Sequence, residues 1–384
     1  MSYLYRPMNE PINPFPIYGY FGPDYFCNRA QETNAIISAL KNGRNVTLYA
    51  PRRIGKTGLI HHVFHHLGKK WNCIYLDVQE SFSFKDFANN LLEAALNAVS
   101  KNKTLLKQFQ DWLLMLRPVM SANPHSGNLQ LEIEFASENH QRATVKEALK
   151  LLDSFGPGVI ALDEFQQITS WEVDTVSVEG WIRSEMQQLK NLRFIFSGSQ
   201  YHLLSEMFTS AKRPFYASTQ AASIGKIPAE DYTSYIRQHF KTNNLNIAQD
   251  EVNQILTWAD GNTYNVQLLC NRVFSKTKKE TTRELIDTSI LEIYAENKLS
   301  YLALSNSMSK YQWQVLTAIA LEGKVYQTTS KDFITRHKLG SSASVLRALE
   351  FLTSRELVYQ YLEDTGKSYY EIYDIILMRW LQKK

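Results

Sequence analysis

Val46-Thr47-Leu48-Tyr49-Ala50-Pro51-Arg52-Arg53-Ile54-Gly55-Lys56-Thr57-Gly58-Leu59-Ile60 runs from a short β-rich segment through a tight loop into a helical pattern. Ending in Gly-Lys-Thr, the loop reads as a phosphate cradle. The β- and γ-phosphates of a nucleotide carry several charges that must be held away from bulk water, and backbone N–H groups from Arg53 to Gly58 can wrap around them. Gly55 permits close backbone approach, Lys56 reaches the β/γ oxygens as a point charge, and the Thr57 hydroxyl joins a Mg2+ shell. The helix begun at Gly58 turns its positive dipole end toward the anion. Pro51, Arg52, Arg53, Ile54, Gly55, Lys56, Thr57 and Gly58 are thus the expected contacts to ATP, with Mg2+ as its companion. The motif is G-x-x-x-x-G-K-[ST] with Ala50 in place of the first Gly.

A second stretch supplies acids. Gly158-Val159-Ile160-Ala161-Leu162-Asp163-Glu164-Phe165 is an apolar run closed by two carboxylates. A strand of this kind is buried along its length and releases its last residues at the carboxyl edge, where parallel α/β sheets bind ligands. Asp163 is expected to hold Mg2+ through water, and Glu164 to orient or deprotonate the attacking water. Phosphoryl transfer needs that division because its catalysis is mostly positioning and charge stabilisation. Leu192 to Phe196 is another strand, followed by Ser197-Gly198-Ser199-Gln200. The polar residues there, Ser199 among them, either contact the γ-phosphate or lytic water, or belong to a small-residue turn into a helix.

The 384 residues favour two or three domains over one core. Hydrophobic residues make up 44% and charged residues 21%, and no window reaches the roughly eighteen apolar residues of a membrane span. No membrane partner is expected. Met1 to Pro16 lacks a basic region, apolar run and cleavage site, and Cys27, Cys73 and Cys270 lack C-x-x-C spacing, so a reducing cytoplasm is the expected location. The net charge of +4 alone does not indicate nucleic-acid binding.

Prolines at 11, 14, 16 and 23 among aromatics make residues 1–24 an extended lead-in. A helix follows to about Leu40 with Asn28 as N-cap. Leu59, Ile60, Val63, Phe64 and Leu67 form the core stripe of the helix after the cradle, which leaves His61, His62, His65 and His66 as a solvated face rather than metal ligands. Asn72 to Val78 reads as a buried strand, 84–99 and 105–116 as helices, and 129–135 as an exposed or edge strand after a loop at 124–128. Helix resumes over 144–155. From about Ile227 to Ala303 the pattern is helical, with a break at Asp260-Gly261-Asn262. Helices at 312–321, 331–337 and 341–354 are then followed by two strands, 357–361 and 369–373, around a turn at 363–366. Three helices and a hairpin describe a winged helix-turn-helix.

In this order the residues resemble the archaeal-type ATPase family, a STAND-like branch of P-loop NTPases related to AAA+ and origin-recognition ATPases. The resemblance rests on Phe26, Arg29 and Glu32 as an F-x-x-R-x-x-E entry, on the P-R-R-x-G-K-T loop, on Asp163-Glu164-Phe165-Gln166, and on Ser197-Gly198-Ser199. At the C-terminal end it rests on Leu339-Gly340-Ser341, Tyr373-Asp374 and Arg379-Trp380-Leu381. It implies an α/β fold: a P-loop NTPase parallel sheet flanked by helices, followed by an all-helical lid and a winged-helix domain. The expected divisions are 1–24, 25–225, 226–305 and 306–384. It also implies that Arg29 and Gly261 join the nucleotide site, that Glu164, Lys56 and Ser199 are catalytic, and that Thr57 and Asp163 hold the metal.

The sequence departs from the family at two points. Pro214-Phe215-Tyr216-Ala217-Ser218 stands where an arginine-ending stretch is common, with Arg213 beside it, and Gly261-Asn262-Thr263 lacks the lid proline. Both departures point to slow hydrolysis. The leading expectation is an ATP-driven switch, bound between core and lid and setting the orientation of the winged helix, with ATP and ADP as ligands. A homo-oligomer would let a neighbour supply the arginine. One alternative is a DNA-binding regulator contacting DNA through Arg336, His337, Lys338 and Arg347, although residues 310–384 hold 11 Lys and Arg against 8 Asp and Glu. Another is a signalling or defence ATPase recognising a protein partner.

Overall fold

The computed structural model describes residues 12–100, 102–116, 119–122, 129–171, 175–362 and 366–383. The expected loop at 124–128, the hairpin tip at 363–365 and residues 1–11 of the lead-in lie outside them. The chain divides into two compact units, one built on Tyr18–Lys226 and the other on Ile227–Lys384 together with Asn13–Ile17.

The first unit runs α1 (Ala30–Lys41), β1 (Val46–Tyr49), α2 (Lys56–Leu67), β2 (Asn72–Asp77), α3 (Phe84–Val99), α4 (Lys103–Leu114), β3 (Val119–Ala122) and β4 (Leu129–Glu132). It continues through α5 (Glu138–Ser154), β5 (Gly158–Asp163), α6 (Thr175–Gln188), β6 (Leu192–Gly198), α7 (Tyr201–Thr209) and β7 (Gln220–Ser223). Five strands form one parallel sheet in the order β2-β5-β6-β1-β7. Every residue of β5 is buried, and its side chains alternate between two cores. Val159 and Ala161 join Leu48, Leu59, Ile60, Val63 and Ile195 beneath α1 and α2. Ile160 and Leu162 face the other way, with Leu76, Phe87, Leu149, Ile182 and Phe196. Burial on both faces explains why the strand reads as an uninterrupted apolar run.

The structure corrects several local expectations. Helix α1 begins at Ala30 after Asn28 and Arg29, both in left-handed backbone, and Asn28 Oδ1 lies 3.4 Å from the Ala30 amide, so Asn28 shapes the turn before the helix instead of capping it. Helix α5 starts six residues earlier than its apolar stripe implies, because Ser137 accepts from the His140 amide at 3.2 Å and fixes a polar first turn. The strand expected over 129–135 is shorter and pairs antiparallel with β3 in a separate hairpin. Strands β3 and β7 and helix α6 carry no strong periodic signal and were not anticipated.

The histidine face is also different. His65 and His66 are exposed, but His62 is buried and its ring stacks on Phe26 at 4.3 Å. Its Nδ1 lies 2.7 Å from the Tyr20 hydroxyl and its Nε2 3.1 Å from His66 Nε2. Burial, then the neighbouring His66 and His65, depress its pKa to about 4. The periodicity of α2 cannot reveal this, because the covering rings come from the chain before α1.

In the second unit come α8 (Ala229–Thr242), α9 (Gln249–Ala259), α10 (Thr263–Lys276), α11 (Arg283–Asn306), α12 (Lys310–Glu322), α13 (Lys331–His337), α14 (Ser342–Ser354), β8 (Val358–Leu362), β9 (Ser368–Ile372) and α15 (Ile375–Gln382). The final helix was not anticipated; Asp374 caps it by accepting from the Ile376 and Leu377 amides. Strands β8 and β9 pair antiparallel. Part of the expected lead-in belongs here: Phe15 is fully buried against Tyr235, His239, Phe240 and Phe274. No helix among the described residues is long and apolar enough to cross a membrane.

Candidate active site

Strand β6 lies between β1 and β5, so its carboxyl end falls between the loop after β1 and the acids after β5. The loop reaches α2 through two left-handed residues, Arg53 at φ 61° and Gly55 at φ 98°. Glycine meets that requirement at Gly55 without the steric cost a Cβ carries. Gly55 offers no side chain to cap α2, and the helix has no side-chain cap at its N-terminus. The N–H groups of its first turn therefore lack a side-chain acceptor.

Asp163 is 3% exposed and the convergence point of three elements. Its Oδ2 accepts from Thr57 Oγ1 at 2.7 Å and from the Tyr75 hydroxyl at 3.0 Å, and its Oδ1 accepts from Ser197 Oγ at 2.5 Å and the Glu164 amide at 3.1 Å. Burial pushes its pKa up, yet the Lys56 charge and the bonds from Ser197, Thr57 and Tyr75 outweigh burial and hold the carboxyl below the ordinary range. It is a carboxylate at neutral pH.

Glu164 leaves the strand in left-handed backbone, φ 51° and ψ 40°. Such a conformation is unfavourable for a residue with a Cβ and persists only when the surroundings impose it. Here they do. Glu164 Oε2 accepts from Ser199 Oγ at 2.7 Å, the Ser199 amide at 3.0 Å and Gln166 Nε2 at 2.7 Å, while Oε1 lies 3.5 Å from Lys56 Nζ. Ser199 Oγ in turn accepts from Arg52 Nε at 2.8 Å.

The structure therefore brings together Arg52, Lys56, Thr57, Asp163, Glu164 and Ser199. Arg29 buttresses the loop from behind: its guanidinium donates to Gly225 O at 2.7 Å and Ile54 O at 3.4 Å and pairs with Glu32 at 2.8 Å. Gly261 lies in the second unit, in the turn between α9 and α10, at φ 64°.

Sequence reasoning missed Tyr75 and Asp77. Both stand on β2, in register with Ala161 and Asp163 of β5. Their polarity within an apolar run was the available signal, but only the pairing of β2 with β5 shows where they point. Burial, then repulsion from Asp163, Glu164 and Glu80, against one opposing bond from the Gln79 amide, raises the Asp77 pKa to about 6.

Arg213 and Ser218 are not placed for phosphate chemistry. Arg213 donates to the fully buried Glu179 through Nε and Nη2, and its Nη1 lies 3.9 Å from Glu206. Ser218 precedes β7, whose first residue Gln220 pairs with Val46 at the start of β1. The phosphate-loop edge is at the opposite end of that strand.

The comparisons agree with this architecture. Residues 299–383 match a family model described as a probable winged helix domain. None of the curated proteins matches the chain in sequence. Among solved structures, a Walker-type ATPase of Pyrococcus abyssi is similar with a TM-score of 0.66 and 16% identity, over 96% of this chain and 99% of that one. The ORC2 protein of Aeropyrum pernix, solved as ADPNP-ADP complexes, gives 0.56 and 13%, over 96% and 97%. The ORC1 protein of the same organism, solved in complex with DNA, gives 0.54 and 14%, over 97% of both chains. The fold is shared with these structures: a P-loop parallel sheet flanked by helices and followed in the chain by helical elements and the matched winged-helix segment.

Proposed function

We propose that this chain binds ATP with Mg2+ at the carboxyl edge of its parallel sheet and hydrolyses it slowly, as a nucleotide-controlled switch. One observation carries the reading: Lys56 and Thr57 of the loop meet Glu164 and Asp163 of β5, at 3.5 and 2.7 Å. The donor set fits both ligands. Thr57 and Asp163 offer hard oxygens of the kind Mg2+ accepts alongside its waters, and the first turn of α2 offers N–H groups with no side-chain cap. Mg2+, when bound, supplies neutralisation of phosphate charge. With nucleotide bound, Lys56 would exchange its long contact with Glu164 for phosphate oxygens, Thr57 and Asp163 would hold the metal, and Glu164 Oε1 would orient the attacking water.

Slow turnover is supported by the arginines outside the loop. A guanidinium at the transferring phosphate is worth about 10³ to 10⁵ in rate. Arg213 is committed to Glu179, and Arg29 to carbonyls and Glu32. Calorimetric titration with Mg·ATP and a single-turnover assay test binding and rate. Limited proteolysis with ATP, with ADP and without nucleotide tests the switch, since three identical digestion patterns would refute it.

A second reading, DNA binding through the winged helix, draws on residues 299–383 and on the likeness to a protein solved with DNA. The charges support it less. Arg336 donates to Glu322 and Asp332, and His337 Nε2 lies 2.9 Å from Glu322 Oε1, which leaves Lys338 and Arg347 of the four basic candidates without a carboxylate partner described. A gel shift at low salt checks it, and no shift there would count against DNA.

A further inference from the structure

We infer that Gln166 is a positioning residue for Glu164, selecting which carboxylate oxygen faces the reacting phosphate, and that Gly198 is glycine to seat its amide. This rests on the ATPase reading above and assigns a role to a residue that reading does not use.

Gln166 is 4% exposed and sits two residues past Glu164, in the short 3-10 turn Phe165–Ser170. The turn is rigid at its start. Phe165 is fully buried, with ring centroids 4.7 Å from Phe196 and 5.6 Å from Phe215, and Gln166 O accepts from Thr169 Oγ1 at 2.8 Å. From this base Nε2 donates to Glu164 Oε2 at 2.7 Å. Its Oε1 is buried with no hydrogen-bond partner among the described residues. The bond from Nε2 fixes the orientation of the amide, because reversing it would set Oε1 against a carboxylate oxygen and lose that bond.

The neighbouring strand is shaped to this side chain. A Cβ at residue 198 would stand 1.9 Å from Gln166 Oε1 and 3.0 Å from its Cδ, far inside contact distance. Gly198 thus leaves the volume that the amide fills, at the strand end from which Ser199 also donates to Glu164.

The consequence for Glu164 follows from counting acceptor sites. Each carboxylate oxygen offers about two lone-pair sites. Oε2 already accepts three bonds, two from Ser199 and one from Gln166. Oε1 has only the 3.5 Å contact with Lys56, which phosphate oxygens would replace. Gln166 and Ser199 anchor one oxygen so that the other is presented to water in a fixed direction. Orientation of this kind changes the rate of a step without changing how tightly substrate is held.

The test uses the full chain and four variants: Gln166→Met, Gly198→Ala, the two combined, and Glu164→Gln as an inactive control. Single-turnover hydrolysis, calorimetric Kd for Mg·ATP and melting temperature are read on each. The expected result is a loss of up to about 10²-fold in rate for Gln166→Met, smaller than that of Glu164→Gln, with Kd within roughly twofold of the parent. Gly198→Ala should reproduce that loss, and the double variant should be no slower than either single one, because both act on one contact. Gly198→Ala reads the contact from the other strand should Gln166→Met not fold. Parental rates in either folded variant beside an inactive Glu164→Gln, or additive losses in the double variant, would overturn the role of Gln166 and leave the ATPase reading standing. No hydrolysis by the parent chain would overturn both.

Discussion

The Thr57 hydroxyl donates to Asp163 Oδ2 at 2.7 Å across 106 positions of sequence, so the loop after β1 and the end of β5 are joined at one atom. Tyr75 donates to the same oxygen at 3.0 Å. Thr57 and Asp163 would be the residues to hold a cation there. Thr57→Ala is expected to weaken the dependence of ATP binding on Mg2+ while Thr57→Ser preserves it. Titration of ATP affinity against Mg2+ concentration gives the comparison, and equal curves for the two variants would contradict the assignment.

Lys56 is 6% exposed and faces both acids. Lys56→Ala should lower ATP affinity by roughly 10- to 100-fold, the worth of one or two charged hydrogen bonds. Circular dichroism should report a folded chain. Calorimetry that finds parental affinity in the folded variant would mean this loop is not the site.

Glu164→Gln should retain Mg·ATP and lose turnover by about 10²-fold or more, since an amide keeps the shape but cannot take a proton from water. Asp163→Asn should act instead on metal dependence. The two substitutions separate only if affinity and rate are measured on both, and matching effects would argue against distinct roles.

Stability should depend on pH in two opposite ways. Asp77 titrates at about 6 in the folded chain against an ordinary 3.8, so the folded chain keeps a proton that the unfolded chain has released, and stability falls as pH rises between those values. Asp77→Asn should raise the melting temperature at pH 8 and by less toward pH 4. His62, held neutral down to about 4 against an ordinary 6.5, costs stability as pH falls through that window. His62→Phe should flatten the acid limb of the same melting curves.

Glu179 is fully buried with Arg213 as its ion-pair partner. Arg213→Ala should destabilise the chain by about 3 kcal/mol by leaving that acid uncompensated, read by urea denaturation. Ser218→Arg should leave turnover unchanged, because residue 218 stands at the edge of the sheet away from the phosphate loop. A rise in turnover for Ser218→Arg would mean that the partner or subunit geometry, not this chain alone, completes the site.

Sequence legibility followed the range of the interactions. The loop from Pro51 to Gly58 and the strand ending in Asp163 and Glu164 are local patterns, and the elements around them stand within a few residues of where the sequence sets them. The helices with amphipathic stripes were equally legible. What escaped depended on pairing: Tyr75 and Asp77 acquire meaning from the register of β2 against β5, and β7 is a four-residue strand recognisable only beside β1. Ser199 was left open between a ligand contact and a turn, and its placement on Glu164 required knowing that β6 runs between the other two strands. His62 was misread because the aromatic cover over α2 comes from residues 20 and 26.

The burial of Phe15 has a bearing on how the chain is made. Asn13 donates to Asn271 O at 2.8 Å and Asn271 donates to Phe15 O at 2.8 Å, bonds spanning 258 and 256 positions. During synthesis, domains generally fold from the N-terminal end as they emerge. Here the sheet unit is complete by Lys226, while residues 13–17, which precede it in sequence, have no seat until α10 has followed. Residues 13–17 therefore join the structure later than the sheet unit that follows them in sequence, and a change among them would disturb the helical unit before it disturbed the phosphate loop.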